Sequence, residues 1–303
     1  MKIIYFGTPE FAVPSLKILN NIPHFEIVSV ITQPDKAIGR KKIITPSPVK
    51  KTAIELGLKV FQPSNKNEIR DFLKSTPADL YIVIAFGMIL SPEILNLPKY
   101  GALNVHASLL PKYRGASPIQ ESLLNGDKTT GISIIKMNDK MDQGDILLLK
   151  RLNIDQNDNY PSLSKKLSEL SGIILPLAIM DFIENNLNLI KQNNNQATYC
   201  RKITKKDGKI DFKKQKANEI INMLKAYTPW PGVYFDLKDK SIKIIETDYE
   251  NTVIPAGKFQ IEGKNLKIGT QKGAIIPKKI QIQGKNEMEI QDFLNGYSHL
   301  IPS

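Results

Sequence analysis

Asn104 and His106 stand two residues apart in the run L-N-V-H-A-S-L-L-P-K-Y-R-G at 103–115. Side chains of an extended strand alternate, so both project from one face. A carboxamide and an imidazole placed there can donate to one developing oxyanion and pass a proton, which is the chemistry of acyl transfer. A single histidine at a strand end more often only packs and hydrogen-bonds, so its company decides. A carboxylate that would orient the imidazole and favour its charged form is offered by the turn D-K-M-D-Q-G-D at 139–145. Asp139, Asp142 and Asp145 all qualify, and spacing does not choose among them. Gly144 is expected to permit a sharp backbone path through the turn.

Other chemistries fit less well. The three histidines, His24, His106 and His299, are scattered, and no Cys/His spacing suits a metal, so none is expected. Cys200 is the sole cysteine; it excludes an intrachain disulfide, suits a reducing compartment and has no histidine near it in sequence to make it a nucleophile. The G-T-P at 7–9 follows a strand and precedes a helix but lacks the glycine spacing of a dinucleotide site. Ser108 lacks the flanking glycines of a nucleophile elbow, though it could bind substrate. The segment 34–51 carries Lys36, Arg40, Lys41, Lys42, Lys50 and Lys51, and Gly39 and Pro46 discourage regular structure. Such a loop can reach a phosphate backbone or simply be a solvated surface.

The elements that would position these groups follow from periodicity. Short β-branched runs at 2–6, 26–32, 59–61, 80–85, 102–105 and 132–137 alternate with helical patterns at 14–20, 48–56, 67–75, 92–95 and 119–124. That alternation predicts an α/β domain with a doubly wound parallel sheet, whose ligand crevice lies at the carboxyl ends of its strands. A helix is expected over 162–185 and another over 215–227. The asparagine-rich stretch 185–196 has little to bury and reads as exposed linker. We therefore expect a catalytic domain over 1–188, a linker over 189–206 and a second domain over 207–303, whose short strands between glycines suggest a small β-barrel.

Composition agrees with two folded domains in 303 residues, with 41% hydrophobic and 24% charged residues. No apolar run is long enough for a membrane span, and the N-terminus lacks the pattern of a signal peptide, which argues for the cytoplasm. The net charge of +12, denser in the last third, favours an anionic partner such as nucleic acid.

Several stretches resemble the folate-dependent formyltransferases, and among these the bacterial methionyl-tRNA formyltransferases. They are F-G-T-P-E-F-A at 6–12, Q-P-D-K-A-I-G-R-K-K at 33–42, P-S-P-V-K at 46–50, N-V-H-A-S-L-L-P-K-Y-R-G-A-S-P-I-Q at 104–120, M-D-Q-G-D-I-L at 141–147 and T-P-W-P-G-V at 228–233. The resemblance implies a Rossmann-like first domain and an OB-like barrel that helps to hold tRNA. It implies formyl transfer from 10-formyltetrahydrofolate to initiator methionyl-tRNA, with Asn104, His106 and Asp142 catalytic. It further implies that Ser108, Leu109, Leu110, Pro111, Phe86, Gly87 and Asp139 line the folate site, and that Arg40, Lys41 and Lys42 reach the tRNA acceptor end. Ala107 stands where many relatives have glycine, which would strain a positive φ. No association motif is visible, so a monomer is expected.

Overall fold

The computed structural model describes residues 1–39, 41–184 and 188–302, and divides into two compact units. The first comprises 1–118, 129–154 and 164–200; the second comprises 119–128, 155–163 and 201–303.

The first unit opens with β1 (Lys2–Gly7), α1 (Val13–Asn20) and β2 (Glu26–Ile31). A hairpin of β3 (Lys36–Ile38) and β4 (Ile43–Thr45) precedes α2 (Pro48–Glu55), which Ser47 caps through Lys50 N–H. Next come β5 (Val60–Phe61), α3 (Lys66–Ser75), β6 (Leu80–Ile84), the single turn α4 (Pro92–Leu95) and β7 (Ala102–His106). The short β8 (Arg114–Gly115), β9 (Thr129–Lys136) and β10 (Ile146–Asn153) follow, while α5 (Pro118–Leu124), which precedes β9 in the chain, falls in the second unit from Ile119 onward. After α6 (Tyr160–Ile183), β11 (Tyr199–Cys200) pairs in parallel with β8.

One seven-stranded sheet runs β10-β9-β7-β6-β1-β2-β5. Its five strands from β7 to β5 are parallel. The expected parallel sheet is interrupted at the other edge, where β9 runs antiparallel to both β7 and β10. The β9–β10 pairing follows from the direct hairpin through the 137–145 turn, which needs no crossover helix. β1, β6 and β7 are almost wholly buried, and Phe6, Tyr81, Val83, Phe86 and Ile69 form part of the core on one side of the sheet. On α6, Ser171 meets Ser15 of α1 across 3.0 Å, and Leu167, Leu175 and Ile179 are buried.

The hairpin corrects the sequence reading of 34–51 as irregular: Gly39, at φ 74, serves as its turn. The stretch 188–200 is largely exposed, as expected, but it is also tied to the first unit. Ile190 exchanges two backbone hydrogen bonds with Ile146, both 2.9 Å, and β11 is stitched to β8.

The second unit holds α7 (Ala217–Tyr227), which packs against its sheet, and α8 (Ile290–Tyr297). Its strands are β12 (Val233–Leu237), β13 (Lys240–Glu250), β14 (Phe259–Glu262), β15 (Asn265–Gly269), β16 (Ala274–Ile282) and β17 (Glu287–Glu289). All pair antiparallel in the order β12-β13-β16-β15-β14, with β17 added on β16. The expected closed barrel is not formed: among the described residues no ladder joins β14 to β12. The sheet curls far enough for Phe235 and Phe259 to meet at 6.1 Å between ring centroids, with Phe212 against both. Aromatic packing, rather than backbone pairing, spans that gap.

Candidate active site

β7 presents Asn104 and His106 on one face, as period two requires, at the carboxyl end of the parallel strands. Asp142 comes to them from the β9–β10 turn. Its Oδ1 lies 3.6 Å from His106 Nδ1 and accepts from Asn104 Nδ2 at 3.4 Å. Its Oδ2 accepts from Gly115 N–H at 2.8 Å. Side-chain exposures of 6% for His106 and 13% for Asp142 leave the pair little screened by water.

His106 Nε2 sits 2.9 Å from the Tyr113 carbonyl. A carbonyl oxygen only accepts, so Nε2 carries a hydrogen. Any proton that His106 exchanges therefore moves at Nδ1, on the side of Asp142. The competing aspartates separate here: among the described residues it is the Asp142 carboxylate that lies against His106, while Asp139 is exposed.

The turn is shaped differently from the sequence expectation. The bend falls on Asp142 itself, at φ 53, a left-handed conformation that costs a non-glycine residue about 1–2 kcal/mol. Gly144 is needed for close approach, since a Cβ there would lie 1.8 Å from the Lys136 carbonyl oxygen. Gly115 is needed likewise: at φ 123, its Cβ would fall 2.0 Å from the Cys200 carbonyl oxygen. Cys200 is buried, with Sγ donating to the Tyr113 carbonyl and accepting from Ser117 N–H, a structural position. Ala107 has no positive φ, so alanine is unstrained there.

The residues expected around folate divide. Ser108 is buried with its hydroxyl donating to the Lys112 carbonyl, and Leu110 packs with Ile135 and Ile146. Phe86 turns its ring into the core against Phe6 at 5.4 Å, while its carbonyl accepts from Thr8 and Gln33 side chains. Gly87 and Asp139 are exposed and Leu109 and Pro111 partly so, which leaves these four open to a ligand. Such a mixture of backbone, apolar side chains and one carboxylate suits a pterin, whose edge is polar and whose faces are apolar. Lys41 and Lys42 lie exposed between β3 and β4. Arg40 lies outside the described residues. Lys50, part of the same basic run, is committed to Asp35 at 2.7 Å.

Sequence reasoning missed Arg114 and Gln192. Arg114 is 1% exposed, and its guanidinium donates to Gln192 Oε1 through Nε at 3.0 Å and Nη2 at 2.7 Å. Gln192 in turn donates to the Asp142 and Gly144 carbonyls. Only the lone R-G in the quoted motif hinted at this.

A polar constellation at strand ends, with a histidine between a carbonyl and a carboxylate, suits acyl transfer in an α/β frame. The chain belongs to the formyl transferase family, whose model matches residues 1–179, with the formyl transferase C-terminal domain matching 202–298. Over nearly its full length it is similar to methionyl-tRNA formyltransferases. That of Caldicellulosiruptor saccharolyticus is 41% identical, covering 98% of this chain and 97% of the relative. That of Listeria monocytogenes is 39% identical, covering 97% and 95%. Among solved structures, the sugar 3N-formyltransferase WlaRD, crystallised with dTDP and 5-N-formyl-THF, aligns with a TM-score of 0.68 at 25% identity, covering 94% of this chain and 99% of that one.

Proposed function

We propose that this chain transfers the formyl group of 10-formyltetrahydrofolate to the α-amino group of methionine on initiator methionyl-tRNA. The observation that carries the chemistry is the Asp142 carboxylate facing both His106 and Asn104. The acceptor rests on relatives of about 40% identity that align end to end.

The amine nitrogen bonds to the formyl carbon as the bond from that carbon to the folate nitrogen breaks. In between, the formyl oxygen carries negative charge. Asn104 Nδ2–H and His106 Nδ1–H would donate to that oxygen, and each such donor is worth about 3–4 kcal/mol of barrier. Asp142 would balance the imidazolium and relay the proton lost by the amine to the departing nitrogen. Gly87, Leu109, Pro111 and the turn at 139–142 would hold the folate, with Ser108, Leu110 and Phe86 supporting that wall from beneath.

Lys41 and Lys42, with Arg40, would reach the acceptor end of tRNA, positioning it through phosphates rather than bases. The basic second unit, read as OB-like, would add a further tRNA contact. A monomer at work in the cytoplasm is part of the same proposal. Among the described residues no helix is long and apolar enough to cross a membrane, and no cluster is suited to a metal ion.

The test is an acceptor comparison. Purified protein with 10-formyltetrahydrofolate should formylate methionyl-tRNA far faster than an amino sugar nucleotide. Equal or reversed preference would move the chain to a small-amine formyltransferase.

A further inference from the structure

Gln192 lies 50 residues from Asp142 in sequence and 78 from Arg114, yet its carboxamide joins the two. Nε2 gives hydrogens to the Asp142 carbonyl at 2.9 Å and the Gly144 carbonyl at 2.7 Å. Oε1 accepts from Nε and Nη2 of Arg114. Both donors and both lone pairs of the amide are thus used. Its orientation is fixed by chemistry: carbonyls only accept and a guanidinium only donates, so a flipped amide would lose all four bonds.

The rest of the arginine's environment is neutral. Asn194 Oδ1 lies 2.8 Å from Nη2 and Tyr199 Oη 3.3 Å from Nη1, and among the described residues no carboxylate pairs with it. A buried cation with no anion polarises the amide it touches, and the polarised N–H groups become stronger donors on the far side.

Those donors fall on a turn that needs holding. Asp142 occupies a left-handed conformation that most non-glycine residues avoid and aspartate adopts only occasionally, and its carboxylate faces His106 while that conformation lasts. The dipeptide Arg114–Gly115 therefore grips the same aspartate twice. Gly115 N–H takes the carboxylate directly, and the Arg114 side chain takes the backbone by way of Gln192. The paired backbone bonds of Ile190 and Ile146 anchor the segment two residues before Gln192.

We propose that Gln192 is a positioning residue for formyl transfer, holding the 142–144 turn so that Asp142 stays aimed at His106. The inference rests on the reading of Asp142 as part of the reacting group.

Gln192→Glu isolates the donor function, because it keeps oxygens opposite Arg114 but turns oxygen toward the two carbonyls. In steady-state assays of the full chain, kcat should fall on the order of 10- to 100-fold. KM for methionyl-tRNA and the melting temperature should stay near those of the wild type. Gln192→Ala should show the same kcat-selective loss if the glutamate variant folds poorly. In an Asp142→Asn background, either change should add little, because residues acting as a unit are not additive. Wild-type kcat in both Gln192 variants, or losses that multiply with Asp142→Asn, would overturn the role of Gln192. Wild-type kcat in Asp142→Asn alone would instead overturn the reading of the reacting group.

Discussion

The end of β7 and the β3–β4 hairpin both carry residues that motif matching singled out, yet they are built on opposite physical terms. At β7, each polar atom of His106 and Asp142 faces a protein partner in a nearly closed setting. On the hairpin, Lys41 and Lys42 face solvent, and Ile43 and Ile44 are 62% and 72% exposed. Positions that handle charge during reaction gain from preorganised, desolvated donors. Positions that meet a polyanion need only exposed charge. The contrast teaches that substitutions in the two regions should fail in different parameters, turnover in one and tRNA use in the other.

The largest effect is expected at β7. Asn104→Ala should lower kcat by roughly 10²–10³-fold, the usual loss for one oxyanion donor, and single-turnover assays would read it. A drop confined to KM would place Asn104 with the binding residues and blur the contrast. Next, Gly144→Ala should destabilise the fold by about 1–3 kcal/mol, as overpacking does, because its Cβ would overlap the Lys136 carbonyl. Denaturant unfolding measures this, and an unchanged midpoint would show that the turn yields.

On the hairpin, Lys41→Ala with Lys42→Ala should leave kcat near normal at saturating tRNA. The slope of log affinity against log salt should become shallower by about 1.5 to 2 units, for the two phosphate contacts removed. An unchanged slope would reduce the hairpin to plain surface. The smallest effect concerns its base. Lys50 and Gln62 hold the Asp35 carboxyl below the ordinary carboxylate range. A depressed value means that the stabilisation is present above the unfolded-state pKa and fades as pH falls toward the folded one. The melting-temperature difference between wild type and Asp35→Asn should therefore shrink below about pH 4. A difference that grows on acidification would contradict the pairing.

Much of this was legible in sequence, and the exceptions have causes. The shared face of Asn104 and His106 follows from strand period alone, since β7 is short, apolar and paired without a bulge. Asp142 could not be separated from Asp139 and Asp145 by local rules, because the choice depends on a left-handed residue and on the close pass of Gly144 by Lys136. Gln192 was invisible because its partners lie far away in sequence and its asparagine-rich surroundings resemble linker. The open second sheet was misread as a barrel because strand and glycine spacing do not report whether β14 hydrogen-bonds to β12.

His106→Ala gives the most direct test of the central claim, measured as single-turnover formylation of methionyl-tRNA alongside the Kd for tRNA. The account predicts that the rate falls by at least about 10²-fold while Kd stays close to the wild-type value. A wild-type rate, or a loss of tRNA affinity that accounts for the whole defect, would contradict it.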